Sequence, residues 1–196
     1  MRWPRGLSAV GAVALLGWVV VHRSGAPAAQ APLSSIQVDQ EASELQRQSR
    51  GLVAGEELLV VFIGASFCQA AQVPGFTAAF NQVKRSLRAQ ADARQQQTAL
   101  IGVAVDWDPA AGLRWLNNFG SFDEVVSGRN WLNMGAVGFI WRDSPGPSAL
   151  PQIVVLKRII QPGERTILVG KEEVLLRKLG STEIMAWAEA GSPLPD

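Results

Sequence analysis

The chain has 196 residues and a formal net charge of +1, which suits one folded domain with appendages and excludes the basic surface typical of nucleic-acid-binding proteins. Its single cysteine, Cys68, excludes a disulfide within the chain and any metal site built from several cysteines. Its single histidine, His22, lies beside the apolar N-terminus. The domain therefore offers no base for a Cys–His pair and no histidine to ligate zinc or haem, and we expect no metal or cofactor.

Residues 1–23 predict a membrane anchor or a signal peptide. Two arginines precede sixteen uncharged residues, Gly6 to Val21, and Arg23 follows shortly after them. This apolar run is intermediate between the roughly 7–15 residues of a signal peptide and the ~17–25 of a spanning helix. We favour an uncleaved anchor with the domain on the extracytoplasmic, periplasmic side; cleavage near Ala26–Ala31 would release the domain there instead.

The folded domain is predicted to begin near residue 37. Residues 24–36 are rich in Ala, Pro, Ser and Gly and lack charge and periodicity, which is typical of a linker. Residues 37–196 form the predicted domain, and its first element, Val38–Arg50, is polar enough to be a surface helix.

The stretch from Leu58 to Cys68 is the one around which the domain is organised. The apolar residues of Leu58–Ile63 do not alternate, which predicts a central strand buried on both faces. Gly64 ends the strand, and from Phe67 onward apolar residues recur at helical spacing, with a kink or break predicted at Pro74. A thiol delivered to the first turn of a helix would be favoured as thiolate, although a free cysteine is also commonly a small buried apolar residue.

A second strand and helix follow. Thr98–Val105 is an apolar strand, and Asp108 followed by Pro109 predicts the start of a helix that ends at Gly120. The order strand, helix, strand, helix predicts a parallel pair of strands. We interpret Asp106 and Asp108 as capping residues rather than metal ligands, because no third ligand is near.

The rest of the chain holds an insertion and an antiparallel region. Residues 121–148 are rich in glycine and proline, and we predict a short strand near Val137–Trp141 within them. A strong strand, Gln152–Ile160, is followed by an antiparallel return, Arg165–Val169, and by a further strand or irregular edge, Val174–Leu179. A last helix is predicted from Ser181 to Gly191. The tryptophans of the domain are interpreted mainly as core residues rather than as a stacking platform.

Three features of the domain resemble the thioredoxin-like fold. They are the strand and turn Phe62–Cys68, the unit Thr98–Gly120, and Leu150-Pro151 directly before a strand. The resemblance implies an α/β domain with a central mixed β-sheet flanked by helices, an insertion before a cis-proline at Pro151, and Cys68 as the reactive residue. It also implies that Phe67, Gln69, Leu150 and Pro151 contact the substrate, a protein thiol or disulfide, as in membrane-anchored extracytoplasmic members.

The departures from that family limit the chemistry. Ala71 stands where the family has its second cysteine, and Leu58–Phe67 holds none of the acids that many members carry before the first. A dithiol–disulfide cycle within one chain is therefore excluded, and a single thiol for mixed disulfides or sulfenic acid remains. Ala65 and Val61 stand where peroxiredoxins have Thr or Ser and Pro, and the glutaredoxin turn Cys-Gly-Phe-Ser is absent.

Two hypotheses follow from the sequence. The first is a membrane-tethered thioredoxin-like protein that uses Cys68 for thiol–disulfide exchange or redox sensing. The second is a redox-silent binding module that holds a peptide or an envelope protein in the groove around Pro151 and the insertion.

Overall fold

The computed structural model describes residues 54–162 and 167–195. The predicted anchor (1–23), the linker (24–36) and the helix predicted over Val38–Arg50 lie outside these ranges, as do residues 163–166. Within the described ranges, no helix has both the length and the apolar character needed to cross a bilayer.

The described residues form a mixed sheet with helices packed against it, as predicted. The strands are β1 Gly55–Gly64, β2 Gln97–Ala104, β3 Glu124–Ser127, β4 Gln152–Pro162, β5 Ile167–Val169 and β6 Glu173–Leu179. The main helices are α1 Phe76–Ala93, α2 Pro109–Asn117 and α3 Gly180–Glu189. Two 3₁₀-helices, Gln69–Gln72 and Asn130–Leu132, and a helical segment, Met134–Arg142, complete the list.

β1 is the centre of the sheet. It pairs in parallel with β2, which pairs in parallel with β3, and it pairs antiparallel with β4 on its other side. β5 and β6 both pair antiparallel with β4, on the side away from β1. The predicted parallel pair and the antiparallel return are therefore confirmed.

The continuous apolar run of β1 is explained by the two cores that it separates. Leu58, Val60 and Phe62 point into one core, which is closed by apolar residues of α1, α2 and α3. Leu59, Val61 and Ile63 point into the other, which is closed by Ala136 and Ile140 of the helical segment. Successive side chains of a strand face opposite sides, so burial on both faces requires an apolar residue at every position.

The prediction about the insertion is wrong. Val137–Trp141 is not a strand but part of a π-helix, Val137–Arg142, and the strand of this region is instead β3.

Asn133 begins the helical segment: its Oδ1 accepts a hydrogen bond from Ala136 N at 2.7 Å, and its Nδ2 donates to Ala104 O at 3.0 Å. The buried amide therefore both caps the segment and fastens it to the end of β2.

Gly64, the last residue of β1, leaves space for the ring of Trp115. A Cβ at this position would lie 2.2 Å from Cη2 of that tryptophan, which is only 8% exposed. We expect Gly64→Ala to lower the free energy of unfolding by about 1–3 kcal/mol, because the packed ring has to move. Urea denaturation measures this loss. Gly138→Ala is the control, since its Cβ would meet only the flexible carboxylate of Asp143 at 3.3 Å. Equal stability of the two variants would contradict this account of the packing.

Lys84 on α1 is a partly buried cation above two aromatic rings. Its Nζ lies 5.4 Å from the ring centre of Phe80 and donates a hydrogen bond to the carbonyl oxygen of Phe119. Burial lowers the pKa of Lys84 below its ordinary value of 10.5, and the charges of Arg88 and Arg85 lower it further.

This lowered pKa predicts a rise in stability toward alkaline pH. Just below pH 10.5 the unfolded lysine binds more protons on average than the folded one, so the unfolding free energy rises with pH in that window. Denaturation of the parent and of Lys84→Met from about pH 8 to about pH 10 measures the difference in slope. Parallel curves for the two proteins would be the contrary result.

Candidate functional site

Four segments meet at one end of the sheet. β1, β2 and β3 are parallel, so their carboxyl ends lie at the same edge, where the antiparallel β4 begins. We use "carboxyl rim" for the segments that continue from these strand ends: Ala65–Gln69, Asp106–Asp108, Arg129–Met134 and Leu150–Pro151. Clefts beside the carboxyl ends of parallel strands are where ligands of open α/β sheets commonly bind.

Cys68 lies at the carboxyl rim, half-buried, directly before a 3₁₀-helix of four residues. Its amide donates to Ala65 O at 3.1 Å, which closes the turn that carries the thiol. The break predicted at Pro74 is confirmed, so the thiol precedes one short helical turn. Pro74 and Gly75, whose φ is 84°, interrupt the helical conformation, and α1 begins only at Phe76. The dipole of α1 therefore does not start at the thiol.

The predicted proline lies at the same rim as the cysteine. The Leu150–Pro151 peptide is cis, as expected, and Pro151 is buried, its carbonyl accepting from Gly180 N at 2.7 Å. The register pairs Ile63, at the end of β1, with Gln152, at the start of β4. Cys68 and Leu150 also pack against the same apolar core. The five predicted site residues, Phe67, Cys68, Gln69, Leu150 and Pro151, are thus at one end of the sheet.

A buried amide holds the chain that leads into Pro151. Gln152 is 0% exposed, and its Nε2 donates to Ala149 O at 2.7 Å and to Pro147 O at 3.2 Å. Its Oε1 accepts from Nη1 of Arg177 on β6. The first residue of β4 therefore fixes the conformation of the segment immediately before the cis peptide bond.

Arg177 extends this network to the insertion. Its Nη2 donates to Ser144 O at 2.7 Å and to Phe139 O at 3.0 Å. Burial lowers the pKa of this guanidinium. A Cβ on Gly146 would lie 2.5 Å from Cζ of Arg177, so the backbone packs directly on the guanidinium plane. The sequence showed only an isolated arginine in a β-strand, which does not predict this role.

Asp106 has a role that capping does not describe. Asp108 caps α2 as predicted, accepting from Ala110 N at 2.9 Å. Asp106 instead is 3% exposed, and its carboxylate accepts from both the amide and the hydroxyl of Ser66, two residues before Cys68. A buried acid therefore reaches the thiol-bearing turn from the neighbouring strand. In the described part of the chain no group of acids, cysteines and histidines could hold a metal ion.

Large apolar side chains are exposed at the carboxyl rim. Phe67, Trp107, Leu132 and Met134 are 59%, 74%, 64% and 61% exposed. Trp115 and Trp187 are buried, as expected for core residues, whereas Trp107 is not. Trp131 and Trp141 contact each other edge to face, with ring centres 5.7 Å apart. The end of the sheet that carries the thiol therefore also exposes apolar side chains that a partner could contact.

Comparison of the chain with protein-family models, with curated proteins and with solved structures finds no match. The groups that the site offers are one half-buried thiol, one buried carboxylate bonded to the turn that precedes it, and exposed apolar side chains at the same end of the sheet.

Proposed function

We propose that this protein is a thioredoxin-like protein in which Cys68 exchanges thiol and disulfide with a partner protein. The observation that carries the proposal is the position of Cys68. The thiol follows the central strand at the same end of the sheet as the cis Leu150–Pro151 peptide. It is half-buried, at an end of the sheet that also exposes apolar residues, so a partner's disulfide could approach it from solvent.

The reaction is a displacement at sulfur. The Cys68 thiol loses its proton to solvent, and the thiolate attacks one sulfur of the partner's disulfide. The bond between Cys68 and that sulfur forms as the partner's S–S bond breaks, and the partner's other sulfur leaves as a thiolate. No external oxidant is required, because the partner's disulfide is consumed in the step.

Resolution of the mixed disulfide has to come from outside the turn. Ala71, which occupies the place of a second cysteine, is 4% exposed and packs in the core closed by the three helices. The partner's own released thiolate, or a thiol of another molecule, would therefore attack and restore Cys68. The protein would therefore hold its partner in a mixed disulfide with Cys68 until a second thiol attacks that bond.

The proposal also includes a tether. The apolar run of Gly6–Val21 supports anchoring in a membrane with the domain on the extracytoplasmic side, where disulfides persist. Fractionation of the full chain after a carbonate wash tests this part. Retention in the membrane pellet is expected, and recovery of a shortened chain in the soluble fraction would instead indicate cleavage.

The exchange is tested with an aromatic disulfide, 5,5′-dithiobis(2-nitrobenzoate), added to the native full chain. We expect one equivalent of thiolate to be released and the mass of one adduct to appear on Cys68. Cys68→Ser is the matched control and should release none. Release of thiolate only after denaturant is added would contradict the proposal.

A second function, a redox-silent binding module, is favoured by the exposure of Phe67 and Trp107. A soluble peptide rich in leucine and valine serves as the probe, and tryptophan fluorescence serves as the readout. If binding is the function, Cys68→Ser retains the affinity of the parent for the peptide. Trp107→Ser and Phe67→Ser then weaken it, because each removes apolar contact area.

A further inference from the structure

Asp106 is a buried acid whose carboxylate is satisfied by a single neighbouring residue. Both carboxylate oxygens lie near Ser66 N, at 3.3 Å and 3.2 Å, and Oδ1 also accepts from the Ser66 hydroxyl. Within residues 54–162 and 167–195, no lysine or arginine is ion-paired with it. The contacts of this carboxylate are therefore directed at the turn that precedes Cys68.

The turn around Ser66 is held from both sides. Asp106 accepts from its amide, while Gln72 Nε2 donates to its carbonyl oxygen at 2.6 Å. The next closure is the hydrogen bond from Cys68 N to Ala65 O. Fixing the two peptide units of Ser66 therefore fixes the direction in which the chain delivers the thiol two residues later.

Asp106 also contacts the insertion. Its backbone carbonyl accepts from Asn130 N at 3.0 Å. Arg129 and Asn130 both have left-handed backbones, with φ of 60° and 51°, and lead into Trp131. Asp106, two residues beyond the end of β2, thus connects the thiol-bearing turn to the Arg129–Met134 segment of the carboxyl rim. Left-handed residues other than glycine persist where surrounding contacts fix them.

We propose that Asp106 is the positioning residue for Cys68, holding the thiol-bearing turn through Ser66. The inference rests on the proposed function for its meaning, since a positioned thiol matters only where it reacts. In the positioned state Cys68 remains half-buried and its amide remains bonded to Ala65. Loss of the Asp106 contacts opens the turn locally while the sheet stays folded.

The test compares four forms of the full chain: the parent, Asp106→Ala, Asp106→Asn and Ser66→Ala. Two readouts are measured, the native-state rate of Cys68 alkylation by iodoacetamide and the hydrogen exchange of the Cys68 amide. We expect both to rise about fivefold or more in Asp106→Ala and Ser66→Ala, because lost hydrogen bonds favour local opening. Asp106→Asn, which keeps an acceptor of the same shape, should stay within about twofold of the parent.

Three results would overturn the proposal. The first is that hydrogen exchange of the Cys68 amide and alkylation of its thiol both stay at the parent rate in Asp106→Ala and in Ser66→Ala. The second is a rise shared by the buried amides of β1, which would indicate a purely structural role. The third is equal behaviour of Asp106→Asn and Asp106→Ala, which would indicate an effect of charge. Ser66→Ala keeps the test decisive if Asp106→Ala does not fold. If the parent forms no mixed disulfide, only the proposed thiol–disulfide exchange fails. Hydrogen exchange of the Cys68 amide still measures whether Asp106 positions the turn.

Discussion

Replacement of Phe62 by Ala is expected to lower the free energy of unfolding by about 3–5 kcal/mol, the usual range for truncating a buried phenylalanine. Phe62 lies on β1, is 0% exposed, and is the common member of an aromatic cluster. Its partners, with ring centres 4.3–6.4 Å away, are Phe76, Phe80, Trp115, Phe119 and Phe122. Because these rings come from α1, from α2 and from the segment that follows α2, little repacking can fill the cavity.

Phe67→Ala is the matched control for this prediction. It removes the same side chain five residues later, where 59% of the residue is exposed, and should change stability little. Urea denaturation followed by circular dichroism measures both variants. A loss in Phe62→Ala no larger than in Phe67→Ala would show that the cluster is not the packed centre of the domain.

Replacement of Arg158 by Leu is expected to cost about 3 kcal/mol, because it leaves a buried carboxylate without its partner. Arg158 Nε lies 2.6 Å from Oε2 of Glu57, whose side chain is 4% exposed, and Nη1 lies 3.2 Å from Oε1 of Glu172. Arg158 and Glu57 are opposite each other on β4 and β1, at the end of the sheet away from the carboxyl rim. The loss should therefore leave the chemistry of Cys68 in the folded protein unchanged.

The neighbouring pair provides the control. Lys157 Nζ lies 2.7 Å from Oε1 of Glu56, but both side chains are more than a third exposed, so Lys157→Leu should change stability little. The double variant Glu57→Leu with Arg158→Leu should recover most of the loss, since no charge is then left buried. A double variant as unstable as Arg158→Leu alone would contradict this explanation.

Much of the sheet could be predicted because its strands are marked by local patterns. β1 is a continuous apolar run, and burial on both faces explains it. β2 and β4 have the same pattern, and Asp108-Pro109 marks the start of α2. β3 escaped prediction because it is a short edge strand of four residues in which no residue is buried, and its two valines are too short an apolar signal.

The candidate site was less predictable because its interactions join distant residues. Hydrogen bonds link Asp106 to Ser66, forty residues away, and Arg177 to Ser144, thirty-three residues away. Nothing in the spacing of these residues indicates that they meet. The π-helix was mistaken for a strand because Phe139, Ile140 and Trp141 are an apolar run too short to distinguish the two.

The alkylation rate of Cys68 in the folded full chain, compared with the rate in urea, tests the central claim most directly. Iodoacetamide is added near neutral pH and the adduct is quantified by mass. The account predicts that the folded protein forms the adduct without denaturant, more slowly than the unfolded chain, because the thiol at the carboxyl rim is half-buried yet still accessible. Reaction only after unfolding would contradict it and leave Cys68 as an inert packing residue.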